Sequence, residues 1–136
     1  MSFIEIKPSK NRIKGDIIEK IRISFSNLKK TKKNKPKYIL TIYIGKTIAD
    51  RLGMKVGEKV SFSHEDTNRR IWLITKSNTD SGFTLCKQSE KNNDSFKIQL
   101  TWPNGIFLPT EEDLCIRSVE HDFFNGGVRI YALIKA

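Results

Sequence analysis

The sequence contains only two cysteines among its 136 residues, too few for a disulfide framework. Both Cys86 and Cys115 lie in apolar runs typical of strands, so we expect them to be small core residues. Enzyme motifs are also lacking, because there is no glycine-rich phosphate loop, no catalytic-triad spacing and no Cys-x-x-Cys or His-x-x-x-His pair. The sequence therefore predicts a non-enzymatic protein without a cofactor or a metal.

Long hydrophobic runs are absent as well. No stretch approaches the roughly 20 consecutive apolar residues that a membrane helix needs, and residues 1–7 lack the apolar segment of a secretory signal. We therefore expect a cytoplasmic protein with no membrane contact. The chain length and the hydrophobic content of 38% indicate a single domain over residues 1–136.

Acidic residues are scarce in the first part of the chain. Residues 1–38 hold 12 Lys or Arg and three acids, whereas residues 39–136 hold 13 basic and 12 acidic residues. The formal net charge of +10 is therefore concentrated in the N-terminal quarter. Such an asymmetry is typical of a segment that binds a polyanion.

The densest basic segment is a predicted loop at residues 29–37. Its six lysines repel one another and show no apolar periodicity, so we expect the loop to be solvated until anions neutralise it. We favour nucleic acid as the anion, with a solubilising loop or an acidic protein surface as the alternatives. The lysines are Lys29, Lys30, Lys32, Lys33, Lys35 and Lys37.

From residue 21 onward, apolar residues mostly alternate with polar ones. The alternation places one side of each predicted strand in a core, and the clearest runs are 21–25, 38–44, 96–102 and 128–134. Turn signals separate the runs, and Asn125-Gly126-Gly127 predicts a hairpin tip because Asn and Gly tolerate positive φ. The sequence therefore predicts a mainly β protein, folded as a small β-barrel or sandwich.

One short helix is predicted at residues 46–53. Ile48 and Leu52 lie one turn apart, Thr47 precedes Asp50 by three residues as in a capping box, and Gly53 can end the helix in a left-handed conformation. About two turns are too few for a stable isolated helix, so we expect the helix to dock on the sheet.

The two halves of the chain resemble each other. After an extension at residues 1–20, the first copy spans residues 21–76 and the second spans residues 83–135. For example, Leu40-Thr41-Ile42 matches Ile98-Gln99-Leu100 at an offset of 58. Because one copy cannot close a core alone, we expect the two to pack as a pseudo-twofold pair. The chain would then be a monomeric pseudo-dimer, with a homodimer as the alternative.

Residues 43–62 contain a strand, the short helix, Leu52-Gly53-Met54 and then Gly57-Glu58-Lys59-Val60. Over residues 38–76 the chain resembles the AbrB/MazE-like swapped-hairpin family. The resemblance implies an interleaved β fold, used by bacterial transcription regulators and antitoxins, in which helices and basic residues face DNA. The second copy is degenerate, because prolines and a turn dipeptide within 103–109 exclude the helix.

Four basic residues outside the loop are candidates for secondary phosphate contacts. Lys46 and Arg51 lie on the predicted helix, and Arg69 and Arg70 lie in a predicted hairpin, where guanidinium groups match phosphate oxygens. DNA is favoured over RNA as the partner.

Three strand aromatics could instead stack on bases, but their apolar surroundings favour core packing: Trp72, Trp102 and Tyr131.

Together these features predict a small DNA-binding transcription regulator or a phage- or prophage-encoded factor. The alternative is a protein-interaction module, either antitoxin-like or an inhibitor of a host protein. Ala49 and Asp50 motivate this alternative, because DNA-binding relatives often carry arginines there.

The segments His64-Glu65-Asp66 and Glu120-His121-Asp122 combine imidazole with carboxylates, but adjacent strand residues face opposite ways, so we expect no metal site.

Overall fold

The computed structural model describes residues 18–28, 37–77, 81–87, 95–103 and 105–134. Within these ranges the chain is mainly β, and nine antiparallel strands form one nearly closed barrel. This confirms the predicted fold class. Most of the predicted N-terminal extension lies outside the described residues.

The strands follow one another with a helix and a 3-10 turn between them. The strands are β1 (Ile21–Leu28), β2 (Lys37–Gly45), β3 (Lys59–His64), β4 (Ile71–Lys76), β5 (Phe83–Thr84), β6 (Cys86–Lys87), β7 (Ser95–Trp102), β8 (Arg117–Phe124) and β9 (Gly127–Tyr131). Helix α1 (Lys46–Leu52) follows β2, and the 3-10 turn (Glu112–Leu114) precedes β8. The order in the sheet is β5-β3-β4-β9-β8-β1-β2-β7-β6.

The two edges of this sheet are consecutive pieces of chain. Strand β5 pairs with β3 and strand β6 pairs with β7, and only Leu85 lies between them. Leu85 is fully buried; its amide donates to the carbonyl of Glu58, and its carbonyl accepts from the amide of Gly57. The segment Phe83–Lys87 therefore closes the barrel by joining one edge to the other.

The pairing pattern has twofold symmetry. The order of neighbours around the barrel stays the same when β1 is exchanged with β5–β6, β2 with β7, β3 with β8 and β4 with β9. Thr41 pairs with Gln99 near the middle of the β2–β7 ladder, and the Gln99 side chain donates to the Thr41 hydroxyl at 3.3 Å. The barrel has the symmetry that two copies would need, and duplication of the sequence itself stays a prediction.

The strand registers give the barrel two distinguishable ends. Lys37, the β3–β4 turn and the β7–β8 connection lie at one end, which we call the Lys37 end. Helix α1, the start of β3 and the β8–β9 turn lie at the opposite end, which we call the helix end. The pairing of β1 with both β2 and β8 fixes the two halves relative to each other.

The barrel interior is filled with aliphatic side chains and a cluster of aromatic rings. Trp72 and Trp102 are buried, with ring centroids 5.5 Å apart, and the Phe25 ring packs edge-on against both. Each indole N–H donates to a backbone carbonyl, that of Arg69 for Trp72 and that of Phe107 for Trp102. Core packing of the two tryptophans, favoured from the sequence, is confirmed.

Helix α1 begins at Lys46 and ends at Leu52, so the helix predicted at residues 46–53 is confirmed. Gly53 has φ 69° and forms the left-handed C-cap, as expected. The predicted capping box is wrong, because the N-cap is Gly45 and no side chain caps the first turn. Thr47 already lies inside the helix.

The prediction that both cysteines are core residues is wrong. Cys86 is exposed because Leu85, its neighbour on the closing segment, takes the inward position. Cys115 is exposed because the chain around it is not a strand: the 3-10 turn ends at Leu114 and β8 begins only at Arg117. The apolar run around Cys115 therefore indicated a strand where the chain forms a connection.

Candidate nucleic-acid interface

Basic side chains are concentrated at the helix end of the described barrel. Ten Lys or Arg and five acids lie there, whereas four basic and five acidic residues lie toward the Lys37 end. The helix-end basic residues are Lys20, Arg22, Lys46, Arg51, Lys55, Lys59, Lys76, Lys87, Lys97 and Arg129. The helix-end acids are Glu19, Asp50, Glu58, Glu120 and Asp122. The barrel that looks almost neutral in sequence is therefore polarised in space.

Helix α1 presents its polar face outward at this end. Ile48 and Ala49 are buried against the barrel, whereas Lys46, Asp50 and Arg51 are exposed. Because Ala49 is buried, the position at which the resemblance suggests an arginine cannot present a cation in this fold. Asp50 lies one turn from Lys46, so it offsets part of that lysine's charge.

The turn after α1 brings more cations to the same end. The Glu58 carboxylate accepts from the amide of Lys55 at 2.7 Å and lies 3.7 Å from the ammonium of Lys76. Lys59 donates to the hydroxyl of Thr84. Glu58, the one carboxylate of this turn, is therefore already bonded to the protein, and Lys55 remains exposed at the rim.

Arg51 is held in place by an aromatic ring. Its guanidinium carbon lies 4.0 Å from the centroid of the Phe123 ring, on the β8–β9 hairpin. Stacking uses the flat face of the guanidinium and leaves its N–H donors in the plane, where they can meet phosphate oxygens. Arg51 is the predicted contact that the geometry favours most.

Arg70, also predicted as a phosphate contact, has another role. Its Nη1 and Nη2 each donate to the Asp113 carboxylate at 3.1 Å, and Nη1 also donates to the carbonyl of Ala132. Arg117 donates to the same carboxylate at 3.2 Å. Asp113 is fully buried, so Arg70 and Asp113 form a structural link beneath the surface, and the phosphate contact of Arg70 stays a prediction.

The pKa of Asp113 lies below its ordinary value. Burial of the carboxyl acts to raise the pKa. Three effects outweigh it and lower the pKa: the hydrogen bonds from Arg70, those from the amide and hydroxyl of Thr110, and the positive charge of Arg70. The carboxylate is therefore ionised at neutral pH, when it can pair with both arginines.

Arg69 is engaged with the backbone. Its Nη1 donates to the carbonyl oxygens of Gly105 and Ile106 at 2.8 and 3.1 Å. These bonds tie the β3–β4 turn to the β7–β8 connection at the Lys37 end. The geometry thus favours a structural role for Arg69 as well.

The predicted basic loop at residues 29–37 is described only at its last residue. Of its six lysines only Lys37 is described, and it is exposed; Lys29, Lys30, Lys32, Lys33 and Lys35 lie outside the described residues. Lys37 and Gly45 stand at opposite ends of β2, which at about 3.4 Å per residue places them about 27 Å apart. The structure therefore does not bring Lys37 together with Lys46 and Arg51.

The two histidine segments do not meet. His64 ends β3 and His121 lies in β8, with β4 and β9 between those strands. Among the described residues, no three His, Cys, Asp or Glu side chains are grouped as metal ligands. Burial lowers the pKa of His121, and the nearby Asp122 opposes this effect. His121 therefore adds no positive charge to the helix end at neutral pH.

A surface ion pair lies next to the β8–β9 turn. The Asp122 carboxylate accepts from Nε and Nη2 of Arg129 at 2.9 and 2.8 Å and from the hydroxyl of Tyr131 at 2.8 Å. The hydrogen bond from Arg129 is the main reason that the pKa of Asp122 is lowered, and the bond to Asp122 raises the pKa of Tyr131. Arg129 is thereby fixed over the ring of Phe124, 4.4 Å from its centroid.

Sequence reasoning missed several residues of this surface. Lys55 follows α1 by three residues and Lys59 begins β3, whereas Lys76 ends β4 and only the fold brings it near α1. Phe123 and Phe124 were detectable, because two adjacent phenylalanines on one strand cannot both face the core. Phe124 is 42% exposed on the outer face, and Phe123 is 36% exposed beside Arg51.

Comparisons with protein-family models, with curated proteins and with solved structures found no match. The resemblance to the AbrB/MazE-like family therefore stays a prediction. No helix in the described part of the chain is long and apolar enough to span a bilayer.

Proposed function

We propose that this chain is a non-enzymatic nucleic-acid-binding protein and that the helix end of the barrel contacts backbone phosphates. The observation that carries the proposal is the gathering of ten basic side chains against five acids at that end. A surface potential of one sign attracts a polyanion and raises its rate of association. We expect a small DNA-binding transcription regulator or a phage- or prophage-encoded factor.

The contacts that we assign to this surface are exposed residues of α1 and its following turn. Lys46, Arg51 and Lys55 form this set, which we call the α1 cations. Their contact is with phosphates and not with base edges, so binding should depend steeply on salt and weakly on sequence. The lysines at 29–37 are proposed as a second contact with the same polyanion.

A titration of fluorescent DNA tests this proposal. The triple variant Lys46→Gln, Arg51→Gln and Lys55→Gln should bind about two orders of magnitude more weakly at ~0.1 M salt, because three phosphate contacts are lost. The slope of log affinity against log salt should fall by about 2 to 3. Fluorescence anisotropy across a salt series measures both quantities.

Two further variants separate the contributions. Changing Lys29, Lys30, Lys32, Lys33 and Lys35 to Ser removes the predicted loop contact and leaves the α1 cations in place. Lys37→Gln removes a single cation of this second contact and should weaken binding less than either multiple variant. If the parent protein binds neither DNA nor RNA at low salt, or if the triple variant binds as well as the parent, the assignment is wrong.

A protein partner is the second candidate, and one observation favours it. At the Lys37 end, Leu108 is 59% exposed and Ile116 is 52% exposed. Nearby, a groove of about 370 Å³ runs between β8 and the chain after β9, lined by Val119, Leu133 and Ile134. Exposed apolar surface of this kind often marks a protein interface. A complex that resists nuclease and is lost in Ile116→Glu would support this candidate.

A further inference from the structure

The β8–β9 hairpin ends in two exposed phenylalanines. Phe123 pairs with Val128 and Phe124 pairs with Gly127, directly before the turn. Because successive strand residues face opposite sides, one ring lies toward helix α1 and the other lies over the outer face of the sheet. Both remain exposed, at 36% and 42%, although rings of this size usually stabilise a core.

Each ring lies against a guanidinium. Arg51 stacks on Phe123 and Arg129 stacks on Phe124, with distances of 4.0 and 4.4 Å from guanidinium carbon to ring centroid. These contacts fix the orientation of both rings. Phe123 thereby offers apolar stacking surface beside the α1 cations, whereas the Phe124 ring lies over the outer face of the sheet near Ser63 and His64.

The hairpin that presents these rings has a tight turn. Asn125 and Gly126 both have positive φ, 50° and 76°, which is the geometry of a two-residue type I′ turn. Gly127 approaches the backbone of Ile74 on β4 so closely that it has no room for a Cβ. The rings are therefore held by the barrel before any ligand arrives, which lowers the entropic cost of binding.

Aromatic faces beside cations match the chemistry of unpaired nucleotides. Every base offers a flat face that stacks on an aromatic ring, and each base is flanked by phosphates. In a duplex those faces are already covered by neighbouring bases. We infer that the helix end binds single-stranded nucleic acid, with bases stacking on Phe123 and Phe124 and Arg51 contacting the adjacent phosphates.

This inference rests on the proposed function, and its test uses two probes: labelled dT20 and a labelled 20-base-pair duplex. The full chain should bind dT20 at least tenfold more tightly than the duplex at equal salt. The double variant Phe123→Leu and Phe124→Leu should lose about tenfold to a hundredfold in affinity for dT20, because leucine is apolar but cannot stack. Its duplex affinity should fall much less, because only the support that Phe123 gives to Arg51 is lost.

Matched variants make the result specific. Phe123→Tyr with Phe124→Tyr keeps the rings and should retain binding to dT20. Leu108→Ala removes exposed apolar surface at the opposite end and should have no effect. Circular dichroism confirms that each variant is folded, and sedimentation shows whether the rings instead join two copies of the chain.

The outcomes separate this inference from the proposed function. If the leucine variant binds dT20 as well as the parent while the α1-cation variant loses affinity for both probes, stacking is refuted and phosphate binding stands. If the leucine variant changes only the oligomeric state, the rings form a dimer contact and the inference is refuted. If the parent binds neither probe, both proposals fail.

Discussion

Replacing Asp113 by Asn should lower the free energy of unfolding by about 3 kcal/mol, since it leaves two partly buried guanidinium groups without their counter-ion. Asp113 is fully buried and accepts hydrogen bonds from Arg70, Arg117 and Thr110. An amide has nearly the same shape but no charge and one acceptor fewer. Chemical denaturation followed by circular dichroism measures the change.

Asp122→Asn is the matched control. It makes the same chemical change at a carboxylate that also binds an arginine, but the Asp122 side chain is 43% exposed and water can replace the lost bonds. We expect a much smaller loss of stability than for Asp113→Asn. Equal denaturation midpoints for the two variants would show that the Asp113 link does not stabilise the fold.

The same link predicts the behaviour of the protein in acid. The pKa of Asp113 is lowered below its usual value of 3.8 in the folded protein. The ionised carboxylate therefore contributes fully to the free energy of unfolding at pH values above this usual pKa. The contribution is lost as the pH falls through the folded pKa. The stability gap between the parent and Asp113→Asn should therefore be constant at neutral pH and should narrow below about pH 4. Denaturation midpoints across a pH series test this.

Gly127→Ala should destabilise the protein by about 3 kcal/mol or more, because the new methyl group overlaps backbone atoms that cannot move aside. A Cβ at Gly127 would collide with the carbonyl oxygen of Ile74 on β4. The ladder between β4 and β9 would then have to separate at the point where the two halves of the chain meet. Thermal unfolding measures the loss.

Two other glycines are controls for this substitution. At Gly105 a methyl group would have no heavy atom within 4 Å and φ is not positive, so Gly105→Ala should change stability by less than about 0.5 kcal/mol. Gly126 has φ 76° but open space around it, so Gly126→Ala should cost about 1 to 2 kcal/mol from backbone strain alone. A Gly127→Ala effect no larger than that of Gly126→Ala contradicts the collision.

Much of the fold was predictable because local patterns determine it. Alternation identified the strands, Gly53 marked the end of α1, and the Asn125-Gly126-Gly127 signal marked the last hairpin. Each of these features depends on a few neighbouring residues, whose conformational preferences are the same in any fold. The core positions of Trp72 and Trp102 followed from the same alternation.

The candidate site was less predictable because it depends on which segments meet. Sequence alone grouped Arg69 and Arg70 with the helix cations. In the fold, both lie at the Lys37 end, where they contact the β7–β8 connection. An arginine that neutralises a buried carboxylate looks the same in sequence as one that is available to a phosphate. Only the position of Asp113, 43 residues away, distinguishes them.

The closing segment Phe83–Lys87 also has a kinetic consequence. It bonds to β3 on one side and to β7 on the other, and the ladders of β1 with β8, β2 with β7 and β4 with β9 likewise join distant parts of the chain. Contacts between residues so far apart in sequence form slowly, because the intervening chain must first be ordered. Folding should therefore be cooperative and slow, and a polypeptide cut between Ser77 and Ser81 should yield two fragments that acquire structure only together.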